Sequence, residues 1–533
     1  MFFVALFVLS WWLMWKTFRI NSAGNLEVTT KVWSDFAATI PLIRSFSLGQ
    51  NFPPQYPLFS GPPIRYHFLF FFAVGMLEKI GIQLDWALNL LSTFSFFFLL
   101  LGIYFLSKEI FKKRSVSAIA CLLFLFNGSL SFLEFFKKHP FSAKTFQDIT
   151  GNNVFPSFAP YDGSKLITGF WNLNVYTNQR HLAFGYAFFL LILLSIYRAA
   201  KKPERLSPSK TIVLGILLGL FPFIHLPVFA MLEITLFILF ILFVNLRKKI
   251  LIIASISIII ALPQITYMGK SDLQSKFFNP GYLITDLNII SFVYYWFFNL
   301  GLVTVLAPIG FILAKKTQRK IFLPFLSFFV LGNLFQFSPE IAANHKFFNL
   351  FVIGSNMFAA YAIYRIWKRR VIGKFVAVFY LIFMTFSGII DIFPIKNDVY
   401  VEILDGKNND VEQFITKNTP KNSVFINASY IYDPASLAGR KILLGWPYFS
   451  WSAGYNTDER LKTLKDILQS SDMVYVCSLL KEAGVNYIET QNPSPIAEVE
   501  INSGFFEKNF KEIYFSKDMN IHIYDTALSC NKL

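Results

Sequence analysis

Residues 31–67 read KVWSDFAATIPLIRSFSLGQNFPPQYPLFSGPPIRYH and form the first long polar interruption in an otherwise oily chain. The stretch carries an acid (Asp35), two arginines (Arg44, Arg65), a histidine (His67) and prolines at 53, 54, 57, 62 and 63. Phe36, Ile40, Ile43 and Phe46 recur at roughly helical spacing, which predicts a short amphipathic helix near the membrane with Asp35 at its start. Ser34-Asp35 ahead of an apolar-periodic run is also what a helix N-cap looks like. The chemical reading of Asp35 is a carboxylate that takes a proton from an acceptor group or binds a divalent cation. Both readings stand at this point.

Working outward, 54% of the 533 residues are hydrophobic, 18% aromatic and only 15% charged. Soluble domains carry about 25% charged residues, so the chain is a polytopic α-helical membrane protein. The net charge of +17 does not point to nucleic acid, because the basic residues sit in short clusters between hydrophobic runs. Those clusters (108–114, 198–210, 247–249, 315–320 and 368–370) mark cytoplasmic loops by the positive-inside rule. All five fall inside only if Tyr66–Ile80 does not cross. Its apolar run is about a dozen residues, where a crossing needs ~20, so a helix at or dipping into the outer interface is expected.

About eleven spans follow, near 1–18, 86–107, 115–136, 182–198, 211–225, 227–246, 250–268, 296–314, 321–337, 349–367 and 371–391. Met1–Trp15 lacks a basic leader and a cleavage site, so a retained first span is expected. The membrane domain is expected over 1–393, with outer loops at 19–85 and 137–181. Residues 394–533 have the composition of a small extracytoplasmic α/β domain. VEQFITKNT, ERLKTLKDILQ and LLKEAG read as helices there; SVFINAS, NYIET, EIYFS and NIHIYD read as strands. No spacing of the three cysteines suggests zinc; Cys477 and Cys530 are either bridged or two free thiols.

Further candidates lie toward the same face. Arg44, Arg65 and His67 suit capture of a phosphate or pyrophosphate, or contact lipid headgroups by snorkelling. Arg180 and His181 stand immediately before a span, after a loop holding Asp148 and Asp162. His345 and Lys346 lie between two later spans, and His225 sits between Pro222 and Pro227, where freed carbonyls need partners. Glu233 is an intramembrane acid and hence a functional candidate. Trp446, Tyr448, Trp451 and Tyr455 either stack on sugar faces or pack a core.

Together these features resemble a family. WSDFAATIPLIRSF in a first outer loop, then PPIRYHFLFFFAVGML and a span ending in LSKEIF, is similar to the C-type (GT-C) glycosyltransferases. These include oligosaccharyltransferase catalytic subunits, protein mannosyltransferases and aminoarabinose transferases. Uncharacterised prokaryotic members also share stretches like QRHLAFG (179–185), NHK (344–346) and AGRK…WSAGY (438–455). The resemblance implies a GT-C-like fold in a prokaryotic plasma (inner) membrane. It implies an inverting transferase that moves sugar from a polyprenyl-phosphate donor to an acceptor glycan, lipid or protein on the outer face. Asp35 is then the catalytic base or a ligand to a divalent cation. Arg44, Arg65, His67, Arg180, His181, His345 and Lys346 are then contacts to the lipid phosphate or substrate. The chain lacks the paired acids of mannosyltransferases and a WWDYG-type motif, which argues against peptide N-glycosylation and leaves metal dependence open. A transporter or flippase of lipid-linked sugars, or a non-catalytic polysaccharide-assembly protein, are the alternatives; few buried charges disfavour transport.

Overall fold

In the computed structural model, which describes residues 1–156, 168–274, 276–496 and 498–530, the hydrophobic runs are helices. The chain divides into two compact units: one of 1–17, 92–263 and 275–399, and a second of 18–91, 264–274 and 400–533.

The first unit holds most of the membrane helices. Among the described residues, six helices are long and apolar enough to cross a bilayer: Leu84–Phe111, Arg180–Lys201, Pro222–Leu242, Val244–Met268, Ile341–Trp367 and Val371–Lys396. A seventh candidate is the pair Ile289–Leu300 and Val303–Leu313, bent by 86°. The bend falls at Gly301, whose φ is +56° and whose added Cβ would lie 1.9 Å from the Gly128 carbonyl oxygen. Only glycine permits that backbone crossing. It also ends the expected span 115–136 early, as helix Arg114–Leu125, with a separate short helix Phe132–Lys138. Phe2–Thr17 and Pro208–Gly219 are apolar but shorter than a full crossing. Six or seven spans therefore satisfy length and composition where the hydrophobic runs predict about eleven.

The second unit is where the opening stretch belongs. The sequence boundary at 393/394 assigns loop 19–85 to the membrane domain, but its backbone is zipped to the C-terminal chain. Leu26–Thr29 pairs antiparallel with Phe18–Ile20 on one side and Tyr400–Ile403 on the other. Beside this lies a five-stranded sheet in the order Lys441–Ile442, Val424–Ile426, Tyr487–Gln491, Ile521–Asp525, Lys511–Ser516. Val424–Ile426 runs parallel to both neighbours, and the remaining pairs are antiparallel. The strands expected from SVFINAS, NYIET, EIYFS and NIHIYD are all present, as are helices Asp410–Asn418, Thr457–Gln469 and Met473–Glu482.

Helix Trp33–Ser47 is the axis of this unit, and it differs from the one-sided interfacial helix expected. From Thr39 to Ser47 every residue is buried. Arg44 explains how a charged helix can be so enclosed. Its guanidinium forms a fork on Asp405 (Nη1 to Oδ1, and Nη2 to Oδ2 at 2.7 Å) and reaches Glu412 Oε1 at 3.2 Å and Glu78 Oε1 at 3.5 Å. Nη1 also donates to the Leu437 carbonyl. Next to it, Gly439 at φ +76° lets two backbones touch: its added Cβ would lie 2.5 Å from the Arg44 carbonyl oxygen and 2.7 Å from the Gly49 nitrogen. Arg440 is buried as well and donates to the carbonyls of Ile415, Thr416, Thr419 and Ala438, closing the end of helix Asp410–Asn418. AGRK is thus a structural motif. Helix Leu69–Lys79 packs on Trp33–Ser47 at Gly75, and its 11 residues give about 16 Å, short of a crossing as expected.

Three carboxylates around one guanidinium leave excess negative charge in a buried place. Burial, with Asp405 and Glu78 adding to it against the pull of Arg44, pushes the Glu412 carboxyl up to about 7. Asp433 and Glu489, both fully buried, are raised in the same direction, chiefly by burial. A carboxyl raised by folding stabilises below its unfolded value, near 4, and that contribution is lost as pH rises through the folded value. Unfolding of the second unit in detergent should therefore need less denaturant at pH 8 than at pH 5.5. Glu412→Gln should flatten part of that slope; a midpoint rising with pH contradicts the assignment.

Cys477 and Cys530 are bridged, with Cα atoms 5.5 Å apart and a sequence separation of 53. A loop of this size gives about 4 kcal/mol in the chain-entropy model, with measured values often lower. The double variant C477S/C530S should cost the second unit about 2–4 kcal/mol in urea unfolding. An unchanged midpoint would show that the bridge is not formed in the native chain.

Candidate functional site

Asp35 lies in the first turn of helix Trp33–Ser47. The cap position is held by Val32, which makes no side-chain cap bond, so the N-cap reading does not describe Asp35. The helix dipole still favours a carboxylate there. Asp35 is exposed, while the helix beyond its second turn is closed off. Three phenols lie within range of its charge: Tyr56, Tyr66 and Tyr432. Each is held above the usual phenol range, first by burial; Asp35 adds next for Tyr66 and Tyr432, and for Tyr56 only after the neighbouring Tyr66 and Tyr455. Tyr432 is locked at φ +50° and donates its hydroxyl to the Trp33 carbonyl. A non-glycine residue held in the left-handed region is a costly conformation that clusters at functional places.

Arg65 borders this group but is occupied. Nη1 donates to the Gly454 carbonyl at 2.7 Å, Nη2 to Asp272 Oδ1 at 2.8 Å, and the guanidinium covers the Tyr455 ring at 4.7 Å. Tyr455 is fully buried and stacks on Phe59 and Tyr56. His67 is buried and stacked on Tyr66 at 4.0 Å. The phosphate roles expected for Arg44 and Arg65 are therefore corrected: both guanidiniums are committed to carboxylates of the same unit.

In the first unit the sequence candidates divide similarly. Arg180 is 1% exposed and donates to the carbonyls of Thr177 and Met14 and to Thr17 Oγ1. It ties down the end of helix Phe2–Thr17, a structural task in place of the expected phosphate contact. His181, His345 and Lys346, by contrast, are brought together. Gln179 Nε2 lies 3.2 Å from His345 Nε2, and Tyr186 donates to the Lys346 carbonyl at 2.7 Å. The QRH and NHK stretches thus face each other.

His225 completes the group, with its ring 5.2 Å from that of His181 and within electrostatic range of His345 and Lys346. The sequence reading has His225 satisfying carbonyls freed near Pro222 and Pro227, whereas the bond at its Nδ1 is to a backbone N–H. Its backbone breaks helix Pro222–Leu242 (φ −166°, ψ 88°), and its Nδ1 accepts from the Val228 N–H. In the neutral ring the proton must then sit on Nε2. Arg180–Lys201, His345–Trp367 and the resumed half of Pro222–Leu242 all start at this cluster. Helix starts, imidazole donors and one ammonium are the components of an anion site.

Glu233 is half-buried and accepts from Ser257 Oγ at 2.5 Å, which provides for it locally. Asp148 is half-buried, and Asp162 lies outside the described residues.

No protein-family model and no curated protein matches the chain. Solved structures do. ArnT from Cupriavidus metallidurans in the apo state aligns over 99% of this chain and 98% of its own, with TM-score 0.52 at 9% identity. The fold is GT-C-like. The oligosaccharyltransferase of Archaeoglobus fulgidus in complex with Zn and sulfate aligns over 99% of this chain and 73% of its own, at 11% identity and TM-score 0.49. Arabinofuranosyltransferase AftD from Mycobacteria aligns over 98% and 40%, at 11% identity and TM-score 0.49. At such identities the likeness is one of fold.

Proposed function

We propose that the chain is an inverting glycosyltransferase that moves a sugar from a polyprenyl-phosphate-linked donor to an acceptor on the outer face of a plasma membrane. Its second unit lies on the outer side of that membrane. The observation that carries the reading is the exposed carboxylate of Asp35 in the first turn of an otherwise enclosed helix, with three phenols within range of its charge. Asp35 takes the acceptor's proton; the acceptor oxygen or nitrogen bonds to the anomeric carbon; the bond from that carbon to the lipid phosphate breaks, and the phosphate leaves. Neutral hydroxyls beside the carboxylate suit this proton transfer. They are poor company for a hard divalent cation, which takes several charged or carbonyl oxygens. Within the first unit, the His181, His225, His345 and Lys346 cluster offers an anion site that suits a phosphate. The Cys477–Cys530 bridge supports an extracytoplasmic second unit, since disulfides persist in oxidising compartments.

The test is incubation of the purified chain with a panel of radiolabelled prenyl-phosphate sugars and candidate acceptors. Loss of label from the lipid phase into an acceptor is expected for at least one donor. Donors that bind without any transfer, and that cross vesicle membranes when the chain is present, would replace this reading with transport.

A further inference from the structure

Helix Pro447–Ser452 turns one face inward, through Phe449 and Ser450, and leaves its other face half-buried. On that face, Tyr448 and Trp451 are three residues apart and therefore neighbours. Trp446, at the cap position, is 40% exposed. The three rings form one patch: Trp446–Tyr448 centroids are 5.5 Å apart, tilted 40°, and Tyr448–Trp451 are 6.1 Å apart, tilted 33°. Tyr455, which the sequence grouped with them, is core.

The patch is joined to Asp35 through the segment 428–433. Trp446 donates its backbone N–H to the Tyr430 carbonyl, Tyr430 is half-exposed, and two residues on is Tyr432. Tyr432 packs on Trp33 at 5.6 Å and lies in the field of Asp35. The backbone bond from Trp446 to Tyr430 and the packing of Tyr432 on Trp33 thus tie the patch, through segment 428–433, to the turn that holds Asp35, all within one unit.

We propose that the Trp446, Tyr448 and Trp451 patch binds a saccharide chain and that the linking segment 428–433 directs its end toward Asp35, so that the acceptor is a glycan. The word acceptor rests on the transferase reading above; the binding does not. Tryptophan and tyrosine rings offer flat apolar faces to the C–H faces of pyranose rings, while their N–H and O–H tips serve sugar hydroxyls. Trp446 keeps its ring at the surface, with Tyr448 and Trp451 half-buried beside it, and exposed apolar surface of this kind marks interaction sites. An aliphatic partner helix would be met by Leu, Ile or Val, which this face lacks.

The experiment is binding of the full chain in detergent to immobilised hexasaccharides of glucose, mannose, galactose and N-acetylglucosamine. Retention of at least one hexamer is expected. W446A and W451A should weaken it at least tenfold and W446F much less, with unfolding midpoints unchanged, and D35N should bind like wild type. No retained hexamer, or retention unaffected by W446A and W451A, overturns the proposal. So does quenching of the Trp446-dependent fluorescence by brominated lipids without a response to saccharide, which would make the patch a membrane anchor. Saccharide bound through Trp446 with no transfer from any donor would leave this proposal standing and remove the transferase reading; transfer with an acceptor KM indifferent to W446A does the reverse.

Discussion

Arg44→Met is expected to unfold the second unit or bring it to the edge of unfolding. The side chain is 5% exposed and holds Asp405, Glu412 and Glu78. Removing the cation leaves buried carboxylates uncompensated, which costs about 3–5 kcal/mol. That is a large part of the roughly 5–15 kcal/mol that stabilises a typical domain. The loss should appear as a lower urea midpoint and as protease cleavage within 400–533. Arg44→Lys should recover only part, because an ammonium cannot make the fork on Asp405. Adding Glu412→Gln to Arg44→Met should restore some stability, since it deletes one stranded charge. If Arg44 instead gripped a lipid phosphate, Arg44→Met would leave the unfolding midpoint in place and raise only the donor KM.

That contrast shows which parts of the site could be read from the chain. The membrane class, the non-crossing helix before Leu84–Phe111 and the C-terminal strands follow from run length, charge placement and alternation, which are local signals. The partner of a charge is not local. Arg44 meets Asp405 across 361 positions, and nothing near Arg44 in sequence distinguishes it from a phosphate-binding arginine. Arg180 is similar, because the Met14 carbonyl and Thr17 hydroxyl it serves lie at the end of a helix far upstream. The burial of Trp33–Ser47 was hidden because its polar residues are satisfied inside, as in Ser45 donating to the Leu42 carbonyl. His225 carried one usable signal: a histidine between two prolines in an apolar run marks a broken helix, and broken helices are where membrane proteins place polar chemistry. The strand Leu26–Thr29 is short: its local partner Phe18–Ile20 has only three residues, and its other partner, Tyr400–Ile403, lies beyond the whole membrane domain.

The second large effect concerns Asp35 itself. Its side chain is exposed and the helix cap is elsewhere, so Asp35→Asn should change stability by no more than about 0.5 kcal/mol. An amide keeps the shape but cannot take a proton. General-base catalysis contributes typically about 10²–10⁴ in rate, and kcat should fall by that factor. Asp35→Glu should retain more activity than Asp35→Asn, because a carboxylate remains within reach of the same phenols. Donor affinity should stay within about twofold, since the proposed phosphate contacts are His181, His225, His345 and Lys346 and differential loss in kcat marks an interaction made in the transition state. The most direct measurement is therefore turnover and donor Kd for wild type and Asp35→Asn in one preparation, with the donor that the labelled panel identifies. A kcat lowered about 10²–10⁴ with Kd and unfolding midpoint unchanged is the predicted result; an Asp35→Asn chain that turns over like wild type contradicts it.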